Sequence, residues 1–243
     1  MVQKKRVALY GGTFDPVHNG HMAIAAGVAE LFALDEILFV PAYVAPHKRG
    51  AVVTPALHRY AMLALATQEE SLFQLSTAEI EAPERPYTVD TLTRIRAELG
   101  EEARIFFVMG ADSWMEIATW REWERVLAIC NHIIVTRPGY KLSFDHVTSA
   151  VRERIVDLRD AQRDAVVRTV NENADPGIYL TDAVMIDISA TAVRHAARQE
   201  CSVELINLVP SPVAEYIKKY RLYRDTHETE FFNARNNPVS HHY

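Results

Sequence analysis

Residues Leu9–His21 read LYGGTFDPVHNGH, and the fold turns on how this stretch is read. The apolar run from Arg6 to Tyr10 has the length of a buried strand and closes on Gly11-Gly12. From Gly20 to Leu34 the apolar residues recur at helical spacing through an alanine-rich stretch, with Asn19 as the expected N-cap. Two glycines between a strand and a helix allow a sharp turn and a close approach to backbone amides. The helix beyond offers unpaired N–H groups and the positive end of its dipole. Together these make an anion site. His18 and His21 stand at its mouth, where imidazoles can donate hydrogen bonds to phosphate oxygens. A polyphosphate there would favour their protonated forms. No third ligand stands at helical or loop spacing, so the pair is read as facing phosphate and no protein-held metal is expected.

Outward from this turn the pattern repeats. EILFVPA (36–42), LFQLSTAEI (72–80), RIFFVMG (104–110) and HIIVTRPG (132–139) read as strands. Ala56–Glu69 and Thr88–Leu99 read as helices, the second stopped by Gly100. Residues 145–172 are charged and read as a solvated outer helix with no chemical signature. YLTDAVMIDISATAVRHAARQ gives a strand, a cap and a helix, and VPSPVAEYIKKYRLY a final helix. Short apolar strands alternating with helices imply βαβ units and a doubly wound, Rossmann-like parallel sheet. We expect one α/β domain over residues 1–224 with a small C-terminal helical part. Residues 225–243 are polar and aperiodic and are expected to be a mobile tail. In such sheets ligands lie at the carboxyl ends of the strands. Gly11-Gly12, Pro46-His47-Lys48, Gly110-Ala111-Asp112-Ser113 and Arg137 all fall there.

Composition bounds the function. About half of the 243 residues are apolar, enough for a sizeable core. A formal net charge of -6 argues against general nucleic-acid binding, so an anionic ligand must be met by local positive groups. Two cysteines, Cys130 and Cys201, stand in no metal or redox spacing and suggest reduced thiols in the cytoplasm. The basic start MVQKKRVALYGG has too short an apolar run for a signal peptide, and no run approaches the roughly 18 residues of a membrane span. The glycine pattern is neither the dinucleotide G-x-G-x-x-G nor the G-x-x-x-x-G-K-[ST] of a P-loop, which argues against a dehydrogenase.

GGTFDPVHNGH resembles the G-x-F-x-P-x-H-x-G-H signature of the nucleotidylyltransferase superfamily through Gly12, Phe14, Pro16, His18, Gly20 and His21. ISATAVR at 188–194 is similar to a second element of that superfamily, I-S-[ST/A]-T-x-x-R. PHK (46–48), RPYTVDTL (85–92), GADSW (110–114), TWREW (119–123) and RPG (137–139) resemble the bacterial nicotinate-nucleotide adenylyltransferases. The related phosphopantetheine adenylyltransferases are shorter and lack the Tyr-Thr-x-Asp-Thr and Trp elements.

The resemblance implies adenylyl transfer from ATP to nicotinate mononucleotide, giving nicotinate adenine dinucleotide and pyrophosphate, with Mg²⁺ carried on the ATP phosphates. It implies that His18 and His21 contact those phosphates, with Gly11, Gly12, Thr13 and Phe14 in the same loop. Lys48, with His47, would reach phosphate from the second loop. Ser189 would cap its helix, placing Thr191 and Arg194 on the departing phosphates. Gly110 and Asp112 would take the adenosine. Trp120 would stack on the pyridine ring, and Thr88, with backbone amides near it and near Arg121, would receive the ring carboxylate. Arg137 would also face the mononucleotide. The alternative for Trp120 is a core aromatic beside Trp114 and Trp123, and for Asp90 a helix-start residue. Rival readings are the same chemistry on nicotinamide mononucleotide, or a silent nucleotide-binding regulator. An assembly of identical chains is compatible with all of them.

Overall fold

The computed structural model describes residues 4–43, 53–82, 86–136, 142–182 and 188–224. His47, Lys48, Arg137 and the expected tail lie outside these residues.

Seven strands form one parallel sheet: β1 (Lys5–Gly12), β2 (Glu36–Pro41), β3 (Phe73–Leu75), β4 (Ala103–Gly110), β5 (Asn131–Val135), β6 (Ile155–Asp157) and β7 (Ile178–Thr181). Their order across the sheet is β3-β2-β1-β4-β5-β7-β6. The helices are α1 (Asn19–Leu31), α2 (Ala56–Thr67), α3 (Thr88–Leu99), α4 (Ala111–Met115), α5 (Trp123–Ile129), α6 (Ser149–Arg152), α7 (Arg163–Glu172), α8 (Ala190–Arg198), α9 (Ser202–Leu208) and α10 (Ser211–Lys219). This is the doubly wound architecture that the alternation of strands and helices implied.

Alternate side chains of each strand enter opposite cores. Ala8, Tyr10, Phe106, Val108 and Tyr179 pack with the apolar faces of α1, α2, α7, α8, α9 and α10. Leu9, Ile105, Phe107, Met109 and Ile134 pack with α3, α4 and α5 on the other face. Because both faces are covered, the central strands are apolar throughout, which is why they read as continuous runs. The strand order reverses between β1 and β4, which pair with Tyr10 opposite Val108. Gly11-Gly12 and Gly110 therefore end side by side at the switch point, where such sheets take ligands.

Several elements differ from the sequence reading: α2 ends at Thr67 rather than Glu69, and β5 at Val135. The first helix ends at Leu31 rather than Leu34, because Ala33 turns left-handed at φ 49° and Leu34 returns its N–H to the Ala29 carbonyl. The third strand stops at Leu75, since Ser76 spends its N–H on the Phe39 carbonyl and Glu81 folds back on Thr77. Residues 145–172 are not one solvated helix. They hold α6, the edge strand β6 and α7, and bury Val147, Val151, Leu158, Val166 and Val170. Their charge pattern belongs to the outer faces of α6, β6 and α7, which between them bury few side chains. The C-terminal helical part contains α9 as well as α10.

Candidate active site

The phosphate-loop candidate is shaped by its own side chains. A Cβ on Gly12 would stand 2.9 Å from Cζ of Phe14, and one on Gly11 3.2 Å from the Phe107 ring. Phe14 is left-handed at φ 48° and buried, so its ring folds back over Gly12. The glycines thus serve a close approach of aromatic rings, and the turn they make is filled by side chains on its inner side. A Cβ on Gly20 would stand 3.0 Å from Nδ1 of His18. Gly20 is the space into which that imidazole fits.

The N-cap of α1 is His18, not Asn19. Asn19 is already helical and donates from Nδ2 to the Asn207 carbonyl at 3.0 Å, tying α1 to α9. The His21 N–H donates to His18 Nδ1 and the His18 N–H to His21 Nδ1, each at 3.3 Å. The rings stack with centroids 3.7 Å apart. This is a capping box built from two histidines where Ser and Glu are usual. It requires an unprotonated Nδ1 on both rings, which places the proton of each neutral imidazole on Nε2. A neutral Nε2–H remains a donor suited to phosphate.

The second motif lies against the first. Ser189 caps α8 by accepting the Ala192 N–H at 3.2 Å, as its position implied. The Cβ of Ile188 lies 3.4 Å from the place of a Gly20 Cβ, so the two helix starts abut. Arg194 donates from Nη1 to the Asp15 carbonyl at 2.7 Å and from Nη2 to Thr191 Oγ1 at 3.1 Å. Thr191 is exposed and Arg194 half-buried, one turn apart. His18, His21, Thr191 and Arg194 thus gather around one turn, although 170 residues separate the motifs from His18 to Ile188.

Toward the switch point, Gly110 caps α4 and Asp112 lies exposed in its first turn. Trp120 packs at 6.4 Å, edge to face, on Phe107, the ring that meets Gly11. Trp120 is half-buried, whereas Trp114 is fully buried and donates Nε1–H to the Ser143 carbonyl. Thr88 opens α3, and Asp90 accepts the Tyr87 N–H at 3.0 Å, which makes it the helix-start residue foreseen. The Arg121 guanidinium lies 4.7 Å from the centre of the Tyr87 ring. This cation–π contact sets Arg121 next to the donor end of α3, beside Thr88. Among the described residues no group of three His, Cys, Asp or Glu could hold a metal ion.

The sequence reading passed over Arg59. It is fully buried on α2 and donates to three carbonyls: Thr13 at 2.6 Å, Tyr43 at 2.8 Å and Thr54 at 2.9 Å. Asp15 and Tyr223 were missed as well, though Asp15 sits inside the quoted motif. One clue was available: an arginine on the apolar face of an amphipathic helix must find acceptors.

Residues 9–196 match the family model described as cytidylyltransferase-like. The chain is 36% identical over 226 residues to a protein of Mycolicibacterium vanbaalenii named "Probable nicotinate-nucleotide adenylyltransferase", covering 93% of this chain and 95% of that one. A protein of the same name from Desulfatibacillum aliphaticivorans is 34% identical over 90% of this chain and 99% of its own. Among solved structures, the nicotinic acid mononucleotide adenylyltransferase of Plasmodium falciparum, complexed with NaAD, superposes with a TM-score of 0.66. That match covers 90% of this chain and 97% of the other at 22% identity, and so bears on the fold. With its glycine turn, its paired histidines and these relatives, the chain belongs to the cytidylyltransferase-like family, among the nicotinate-nucleotide adenylyltransferases.

Proposed function

We infer that the protein transfers the adenylyl group of ATP to nicotinate mononucleotide, releasing pyrophosphate. The observation that carries this reading is the histidine capping box at the glycine turn, in a chain whose relatives bear that name. A 5′-phosphate oxygen of the mononucleotide bonds to the α-phosphorus of ATP. The bond from that phosphorus to the bridging oxygen breaks, and its electrons leave with pyrophosphate. The attacking phosphate is already an anion at neutral pH, so positioning and charge stabilisation carry the rate.

In this reading the Nε2–H groups of His18 and His21 donate to the phosphates, with the backbone of Gly11, Gly12, Thr13 and Phe14 around them. Arg194 and Thr191 take the departing pyrophosphate at the start of α8, with Ser189 holding that helix end. His47 and Lys48 add charge from the second loop. Gly110 and Asp112 face adenosine. Trp120 covers the pyridine ring, Thr88 and the first amides of α3 receive its carboxylate with Arg121 beside them, and Arg137 approaches the mononucleotide. The site is rich in N–H donors, which suits Mg²⁺ arriving on ATP phosphates. The bound ion would supply charge neutralisation of those oxygens. We place the reaction in the cytoplasm, in keeping with two unpaired cysteines. No helix among the described residues is long and apolar enough to cross a membrane.

Substrate charge provides the test. The start of α3 offers donors, and Arg121 adds a cation. A carboxylate satisfies donors, whereas the NH₂ of an amide would face them unpaired, at about 1–3 kcal/mol or more. Pyrophosphate release from ATP should show kcat/KM for nicotinate mononucleotide at least about a hundredfold above that for nicotinamide mononucleotide. Equal efficiencies would overturn the nicotinate assignment and leave adenylyl transfer standing.

A further inference from the structure

Beneath the phosphate-loop candidate lies a polar cluster that meets the proposed site at the Thr13 carbonyl and at Arg194. Arg59 is fully buried, and its three hydrogen bonds all end on main-chain carbonyls. Asp15 is buried too, and every acceptor it presents is used. Its Oδ2 takes the Thr54 N–H at 3.2 Å, its Oδ1 the Tyr223 hydroxyl at 2.8 Å, and its carbonyl the Arg194 Nη1 at 2.7 Å. Arg59 and Asp15 therefore grip Thr54 from both sides, one at its carbonyl and the other at its N–H. The charges match: burial lowers the pKa of the Arg59 guanidinium, and the Asp15 carboxylate opposes that shift. Burial pushes the Tyr223 hydroxyl well above its ordinary range, with the Asp15 charge adding to it, so it stays a donor.

Phe14 is left-handed at φ 48° and Tyr223 at φ 68°, whereas Arg221, at φ 52°, is the left-handed turn that ends α10. Non-glycine residues persist in that region only where their surroundings over-determine them, and such strain gathers at functional sites. Here the strained backbone lies at both ends of the Tyr223–Asp15 bond. Among the described residues, the side chain of the proposed reaction that the cluster touches is Arg194, through the carbonyl of Asp15.

We propose that Asp15, Arg59 and Tyr223 are positioning residues for adenylyl transfer. They set the backbone of Thr13–Asp15 and, through the Asp15 carbonyl, aim Arg194 at the departing phosphates. The proposal rests on the phosphates binding at this loop. A shift of about 1 Å in a positioned group can cost about a hundredfold in rate while ground-state binding changes little. The brace should therefore govern kcat more than KM.

Tyr223→Phe removes one hydroxyl and leaves the ring. Asp15→Asn keeps the shape but turns an NH₂ toward one of two donors. Arg59→Lys keeps the charge and loses the three-way fork. Each is assayed for kcat, for KM of ATP and of nicotinate mononucleotide, and for Tm, at a temperature well below the transition. In Tyr223→Phe, kcat should fall about tenfold or more with both KM values within about threefold and Tm within a few degrees. Asp15→Asn and Arg59→Lys should lose more. If either fails to fold, Tyr223→Phe decides alone. A folded Tyr223→Phe enzyme with full kcat overturns the proposal, whatever happens to its Tm. His21→Ala separates the premise: full turnover there removes the phosphates from this loop. Lost turnover there beside full kcat in Tyr223→Phe removes only the brace.

Discussion

In the proposed reaction His18 and His21 would do two jobs with two nitrogens. Nδ1 of each closes the capping box and Nε2 carries the proton, so structure and chemistry can be separated by substitution. Asparagine is a strong N-cap and can accept the His21 N–H, but it cannot reproduce an imidazole Nε2–H at the same reach. His18→Asn should therefore keep Tm within a few degrees while turnover falls by about 10² or more, the scale of losing one preorganised donor. His21→Ala should lose turnover on the same scale, with a modest loss of stability from the broken box. Thermal melts beside steady-state rates check both. A His18→Asn enzyme with near-normal turnover would show that the imidazole is only a cap. The types and spacing of these histidines were legible in the chain. Their tautomer was not, because it depends on which backbone N–H each ring meets. The expected cap at Asn19 failed because the His18 ring takes the His21 N–H one residue earlier, while Asn19, already helical, donates from Nδ2 to the Asn207 carbonyl on α9.

At the scale of elements, α3 stands where a helix start is asked both to fold and to bind. Asp90 accepts the Tyr87 N–H and holds the first turn in shape, next to Thr88 and Arg121. Asp90→Ala should cost about 1 kcal/mol of stability, the usual effect of losing a cap. It should also raise KM for nicotinate mononucleotide more than KM for ATP, since the loosened turn is the one proposed to take the carboxylate. Separate titrations of the two substrates test this, and equal changes in both KM values would detach α3 from the pyridine site. Long elements with strong periods, such as β1, β4, α2 and α3, were readable from residue order. The short run of α6, β6 and α7 was not. α6 and β6 have four and three residues, and the ten residues of α7 bury only Val166 and Val170, too few to show a period against a charged background.

For the molecule as a whole, His132 is a buried group that should make stability depend on pH. His132 is fully buried on β5, donates Nδ1–H to the Cys130 carbonyl, and leaves Nε2 without a partner among the described residues. Burial pulls its pKa down to about 3 from an ordinary 6.5. The unfolded chain therefore binds a proton here that the folded chain refuses, between those two values. Stability should fall as pH drops below about 6.5, by up to about 1.4 kcal/mol per unit from this residue. His132→Leu should flatten that part of the Tm-against-pH curve relative to the parent. Curves of identical slope from pH 6.5 to 5 would show that His132 does not contribute. The C-terminal boundary makes a second prediction at this scale. The last described contacts are Tyr223 to Asp15 and Arg224 to Glu200. A chain ending at Arg224 should keep its Tm and turnover, whereas one ending at Leu222 should lose turnover with the Asp15 bond. Loss of activity on removing 225–243 alone would give that segment a role.

By itself the sequence determined the alternation of the long strands and helices, hence a parallel sheet with helices on both faces, and two motifs whose residue types suit an anion. Those properties are local: a period of two or 3.6 residues, a glycine where rings crowd, a donor three places along. What only the tertiary structure decided is how the motifs meet and what holds them. Arg59 reaches Thr13 across 46 positions, and Tyr223 reaches Asp15 across 208. A buried guanidinium or carboxylate is tolerable only where donors and acceptors from separate segments converge on it. Nothing in the neighbourhood of Arg59 or Tyr223 along the chain specifies that convergence. It exists once the sheet has brought the ends of β1 and β2 and the helix after them to one edge, with the last turn of the chain laid against them.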